Sequence, residues 1–298
     1  MKIFDCFMFY DEKLLLDIRM NTLNEFVDYF VIVESKYYHN GIERELIFDI
    51  NDYKEFKDKI IYIVHDRIPS ILKDVNSDDD KEIKTYKLNF NAHVRENDHR
   101  NKIMAGLKNA DNNDLILISD VDEIPKLDKT NFTNIKNKII IFEQNIFYYK
   151  LNRYLPNYTW YGTKACKKKD LINPQWLRNT KNNKYSFFRL DTFFSKKKYI
   201  DKLFIGDGGW HFSNLKSAFD IELKLKSYLH YTDYKFEELG KNKIENLIKS
   251  NKTIYDMFGD KSSKKFSDDK RKDLEIYQTH ELPKYIQNNL EKYKDWMD

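Results

Sequence analysis

The segment Leu115-Ile-Leu-Ile-Ser-Asp120-Val-Asp122-Glu123-Ile-Pro125 runs an apolar strand straight into three carboxylates. Alternate residues of an extended chain share a side, so Asp120 and Asp122 point the same way. Close carboxylates repel, and without a cation between them one is driven to keep its proton. A hard divalent ion answers this. Mg2+ or Mn2+ takes one or two protein carboxylates and leaves its other positions to water and substrate phosphates. Asp120 and Asp122 are therefore the expected metal ligands, and Glu123 is expected to orient them rather than bind the ion. The bland alternative is a solvated acidic turn.

A second cluster is Gly206-Asp207-Gly208-Gly209-Trp210-His211-Phe212-Ser213, with three of the chain's eight glycines. Such density marks backbone that passes something closely. His211 can offer a ring nitrogen as a third metal ligand, since Mn2+ accepts mixed nitrogen and oxygen ligands. Asp207 is the expected general base, with Glu143 in reserve. Trp210 offers a flat face to a sugar ring, and Trp160 with Tyr161 offers another, so all three are candidate acceptor contacts. The competing reading is a glycine-rich hairpin whose polar side chains satisfy backbone groups.

Two cations stand where bland structure would not put them. On a helix over about residues 11–26, Leu15, Leu16, Ile18, Met20, Leu23 and Phe26 fall in one sector, and Arg19 lies near its centre. It needs a partner, either a core carboxylate or the site's acidic groups or a phosphate. Further on, Glu96, Arg100, Ile103 and Leu107 share a helical face, which gives Arg100 a surface pair or a place facing the ligand.

The elements that must position these residues alternate. Strands are expected at Ile3–Phe9, Tyr29–Val33, Ile60–Val64 and Leu115–Ser119, and a second helix at about residues 92–110. This βαβ rhythm predicts an α/β fold with a mostly parallel central sheet flanked by helices, whose ligands bind at the carboxyl ends of the strands. Long aromatic strands follow at Ile139–Leu151 and Tyr185–Phe194, separated by a loop through Pro156, Trp160 and Pro174. Residues 213–250 read as helical, 259–273 as a charged linker, and 284–298 as a helix with Ile286, Leu290, Tyr293 and Met297 on one stripe. The expected division is a unit over 1–213, split at 125/126, with a helical extension over 214–298.

Composition narrows the partners. Of 298 residues, 52 are Lys or Arg and 48 are Asp or Glu, and the charges are spread without a broad basic footprint, which disfavours nucleic acid. The apolar runs are far too short to span a bilayer, and the N-terminus reads as a strand rather than a signal peptide, so a cytoplasmic protein without a transmembrane segment is expected. Cys6 and Cys166 lack metal-ligand spacing and are expected to be reduced. There is no phosphate-binding glycine loop, dinucleotide fingerprint, nucleophile elbow or His-Glu-x-x-His, which leaves a metal to hold phosphate.

Phe4-Asp5-Cys6-Phe7 with Glu12, Leu16 and Arg19, then Val27 to Ser35, Arg95-Glu96 with Arg100, Ser119 to Pro125, and Gly209 to Ser213 together resemble glycosyltransferase family 17. The resemblance implies the GT-A fold, in which an Asp-x-Asp motif holds Mn2+ or Mg2+ on a nucleotide-sugar donor. It implies an inverting transfer of GlcNAc from UDP-GlcNAc to a glycan or glycoprotein acceptor. Glu34, Arg100, Asp120 and Arg19 are then expected at the donor. The absence of the anchor found in the family's animal enzyme points to a microbial or viral glycan, in a microbe or an infected host's cytosol. Two other classes compete: a haloacid-dehalogenase-type phosphohydrolase using Asp120 and Asp122, and a non-catalytic sugar- or nucleotide-binding protein.

Overall fold

The computed structural model describes residues 1–186, 188–192, 194–228, 234, 238–255 and 271–298. Residues 259–270 of the expected charged linker lie outside them.

Strands β1 (Ile3–Phe9), β2 (Tyr29–Ser35), β3 (Ile60–His65) and β4 (Leu115–Asp120) pair in parallel in the order β3-β2-β1-β4. They lie where the apolar runs placed them; β1, β2 and β4 are covered on both faces, whereas the edge strand β3 is half-buried. On one face Phe7 and Phe9 pack with Leu15, Leu16 and Ile18 of α1 (Lys13–Leu23). On the other Phe4 and Cys6 pack with Ile103, Leu107 and Trp176. Each large side chain so buried contributes on the order of 1.5–3 kcal/mol. The second helix, α2, spans Lys81–Asn101 and gives way to a 3-10 turn over Lys102–Leu107. It begins earlier than expected because Asp80 caps it, accepting from the Ile83 amide at 2.8 Å.

The sheet as a whole is mixed, with antiparallel pairings beside the parallel ones. β6 (Ile139–Tyr148) and β7 (Arg153–Lys167) form a hairpin, and strands joined by so short a turn must be antiparallel. β7 then lies antiparallel to β4 and joins the two halves. β8 (Lys202–Ile205) and β9 (Gly209–Ser213) run parallel to β6, β5 (Glu123–Pro125) lies antiparallel to β9, and β10 (Glu275–Ile276) pairs with β7. The expected loop through Pro156 and Trp160 is therefore the strand β7. A register irregularity opposite Asn145 and Phe147, with Asn157 at φ 58°, accommodates the proline. Conversely, Tyr185–Phe194 is not a strand in its described residues: Leu190–Thr192 form a 3-10 turn, and Phe188 and Phe194 are 87% and 90% exposed. Aromatic residues favour strands only where a neighbouring surface packs against them.

Beyond β9, α4 (Ala218–Ser227) and a helix over Gly240–Lys249 cover the sheet near Ile146 and Tyr148. The expected terminal helix is a short α-helix over Lys284–Asn288 and a 3-10 segment over Leu290–Trp296. Ile286 and Tyr293 enter the main core, whereas Leu290 is exposed.

Candidate functional site

β4 ends at Asp120, and the chain turns at once into β5. This short turn is held from inside by Arg19. Period-two alternation puts Asp5 and Phe7 of β1 on the face that α1 covers, so the charge on the apolar stripe of α1 meets a carboxylate there. The Arg19 guanidinium makes a bidentate pair with Asp5 and sits over the Phe7 ring, 4.6 Å from its centroid. Its Nη1 donates to the carbonyls of Asp120, Val121 and Glu123 at 3.1, 3.2 and 2.7 Å. Arg19 thus shapes the acidic turn from the core and reaches neither solvent nor the cavity.

That turn opens on a cavity of about 430 Å³ at the carboxyl ends of β1 and β4, where Asp120, Asp122, Arg100, His211, Trp160 and Glu12 all line the wall. Asp120 is clamped by two guanidinia, Arg100 on Oδ1 and Arg178 on Oδ2, each at 3.0 Å. Burial would raise the Asp120 pKa, but Arg178 and Arg100 outweigh it and hold the carboxyl well below the usual range. Asp122 faces His211 across 3.5 Å, and there too burial is outweighed, chiefly by His211, so that its pKa is lowered. Sequence spacing placed Asp120, Asp122 and His211 in one site, and the structure brings all three to one cavity. Their surroundings differ: Asp122 pairs with His211, while both oxygens of Asp120 are engaged by guanidinia. Among the described residues no three His, Cys, Asp or Glu side chains form a ready cation cluster. His211 Nε2 faces Asp122, while Nδ1, on the other side of the ring, is buried without a hydrogen-bond partner.

Glu123 is fully buried and accepts from the Asp120 amide, Trp160 Nε1 and both terminal nitrogens of Arg178. Trp160 lies tilted against His211, with ring centroids 4.6 Å apart. Gly162 has to be glycine beside this network, because a Cβ there would lie 2.0 Å from Gln144 Oε1 and 2.9 Å from Glu123 Cδ. Arg178, which sequence reasoning did not single out, comes from α3 (Pro174–Asn179). The signal was present: Asn173 caps the Trp176 amide and Pro174 opens the first turn, the ordinary start of a helix.

His39 also lines the cavity, is 6% exposed, and has no hydrogen-bond partner on either ring nitrogen. Burial pushes its pKa down to about 4; nearby Glu96 opposes the shift and Arg100 adds to it.

Several candidates sit elsewhere. Asp207 lies at the far end of β9 from the cavity, bonded to Lys126 at 2.7 Å and Lys129 at 3.1 Å. Burial would raise its pKa, and the two lysines lower it. Backbone requires two of the glycines around it: a Cβ on Gly208 would meet the Ile205 carbonyl at 2.6 Å, and Gly209 has φ 127° with the Ile124 carbonyl 2.1 Å from a Cβ, whereas Gly206 has room for one. Trp210 alternates with His211 along β9, so it faces the opposite side, packs in the main core and donates to the Glu281 carbonyl. Tyr161 likewise alternates with Trp160 and packs on the second core. Glu34 is fully buried away from the cavity, where its oxygens accept from Ile47, Phe48 and Tyr62 and pair with Arg44. Glu143, on β6, does not line the cavity.

A mixed α/β chain with an acidic turn, paired guanidinia and an aromatic wall around a strand-end cavity has the layout of an enzyme for a charged, polar substrate. The chain belongs to glycosyltransferase family 17, whose model matches residues 1–297, and it is a glycosyltransferase acting on a sugar donor and an acceptor. No curated protein matches it. Solved structures similar to it include a protein from Bacillus anthracis described as a glucose-1-phosphate thymidylyltransferase, in complex with sucrose. That structure is 11% identical over 69% of this chain and 86% of its own, with a TM-score of 0.33. Family membership replaces the phosphohydrolase and non-catalytic alternatives. Among the described residues, no helix is long and apolar enough to cross a membrane.

Proposed function

We propose that this chain is a metal-dependent, inverting glycosyltransferase of the GT-A fold, which moves GlcNAc from UDP-GlcNAc to a hydroxyl of a glycan. The observation that carries the reading is the cavity itself, where Asp122 and His211 stand beside a carboxylate already neutralised by Arg100 and Arg178. An acidic pair alone would repel a diphosphate. With Asp120 matched by two guanidinia, the remaining Asp122–His211 pair would hold Mn2+ or Mg2+, and Asp120 would be drawn in only if the arginines yield it. The ion, when bound, supplies Lewis-acid neutralisation of the diphosphate.

The chain's own residues do the rest. Arg100, on one wall, stays cationic near the leaving group. Arg178 and Glu123 fix the acidic turn and the Trp160 ring. Trp160 keeps its place as an aromatic face for a sugar ring, whereas Tyr161 and Trp210 do not reach the cavity. The choice of UDP-GlcNAc rests on the family resemblance.

Calorimetry of UDP and UDP-sugars across a Mn2+ titration tests the proposal. Asp122→Asn deletes charge with little change in volume, so it should remove most of the Mn2+-dependent donor affinity while melting near the parent. Unchanged UDP affinity with Mn2+ would sink the metal assignment.

A further inference from the structure

A second cavity, also of about 430 Å³, adjoins the first and shares Glu12, Asn214 and Lys224 with it. It lies between the start of α1 and the segment entering α4, with the Trp296 ring on its wall. Its lining balances three carboxylates, Asp11, Glu12 and Asp220, against three lysines, Lys13, Lys216 and Lys224; Lys216 reaches Asp11 at 2.5 Å, and Ser217 bonds Asp220 at 2.6 Å. What remains is a neutral, hydrogen-bonding hollow with an aromatic face, which suits a saccharide better than a phosphate. At the junction Asn214 is 4% exposed, has φ 56°, and its amide Nδ2 has no hydrogen-bond partner. A buried donor left in this state costs free energy unless a ligand meets it.

Glu12 stands beside it with its carboxylate oriented. One oxygen, Oε2, accepts from the Tyr10 and Asp11 amides, both at 3.2 Å. The other, Oε1, has a single long contact with the Tyr228 hydroxyl at 3.3 Å, which leaves it able to accept again. We infer that the second cavity takes the hydroxyl-bearing saccharide acceptor and that Glu12, at the junction, accepts the proton of the attacking hydroxyl. The inference rests on the transferase reading above.

The step balances within donor and acceptor. The acceptor oxygen bonds to the anomeric carbon as its proton passes to Glu12 Oε1, while the bond from that carbon to the diphosphate oxygen breaks and the nucleoside diphosphate leaves with the electron pair. Burial, with the neighbouring Asp11 charge, pushes the Glu12 pKa upward against Lys216 and Lys224, which makes it a stronger base than an ordinary carboxylate.

The experiment uses the full chain with Mn2+, UDP-GlcNAc, and lactose, chitobiose and mannobiose as acceptor probes. Glu12→Gln should slow UDP release, with or without saccharide, by about 10²–10⁴-fold while leaving donor affinity unchanged. Glu12→Asp, which keeps the carboxylate, should recover part of the rate. Trp296→Leu should weaken saccharide binding roughly tenfold or more without altering UDP affinity. The inference is overturned if Glu12→Gln releases UDP at the parent rate, if its loss is only a loss of donor affinity or melting temperature, or if the saccharides bind equally to Trp296→Leu and parent or to neither. A parent that binds saccharide through Trp296 but no UDP would instead overturn the donor reading and leave the acceptor cavity standing.

Discussion

Arg19 and Asp5 form a bidentate ion pair with neither side chain exposed, at 2.7 Å from Nε and 2.6 Å from Nη2. The third arm of the same guanidinium ties down three carbonyls of the acidic turn. Removing the cation leaves Asp5 charged in the core and the turn without its donor. Arg19→Ala should therefore lose roughly 3–5 kcal/mol, read as a shifted urea midpoint. A midpoint equal to the parent's would mean that the pair adds nothing once its desolvation is counted.

Arg178 has a different kind of effect, because it serves Asp120, Glu123 and the Gly162 carbonyl together. Arg178→Met keeps the length and removes the charge. Asp120 should then titrate at higher pH, and turnover should fall by at least the roughly 10²-fold typical of a lost preorganised charge. Following the Asp120 carboxyl by NMR through a pH titration separates this from a general loss of fold.

Asp207 is half-exposed and already bonded to two lysines. Asp207→Asn should transfer sugar within a few-fold of the parent, where a general base would cost about 10²–10⁴-fold. A loss of that size would mean that the β8–β9 turn closes onto the cavity during the reaction.

The buried imidazole of His39 makes stability depend on pH in a defined direction. Its folded pKa, about 4, lies below the ordinary value of 6.5. Between those values the unfolded chain binds the proton and the folded chain does not, so stability is full above about pH 6.5 and falls toward pH 4. The full loss is on the order of 3 kcal/mol. His39→Asn should flatten the melting temperature between pH 6.5 and 4 relative to the parent, and an unchanged slope would place the titration on other groups, such as the similarly depressed His99.

The sequence by itself marked the four parallel strands, because β1, β2, β3 and β4 are each written as a short, mainly apolar run. It also marked Asp120, Asp122 and His211 as candidates for one site and required a partner for Arg19, since a charge on an apolar stripe cannot stand alone. Tertiary structure decided the rest. Alternation along β7 and β9 chose Trp160 and His211 for the cavity and sent Tyr161 and Trp210 to the core, a choice of face that depends on register and not on residue type. A bulge carried β7 through Pro156, and a capped turn of helix delivered Arg178 to carboxylates 55 and 58 residues away in sequence. Asp207 and Glu12 are placed by the same rule: hydrogen bonds and burial are set by neighbours distant in the chain, and only the folded sheet says which carboxylate meets two lysines and which lines the cavity.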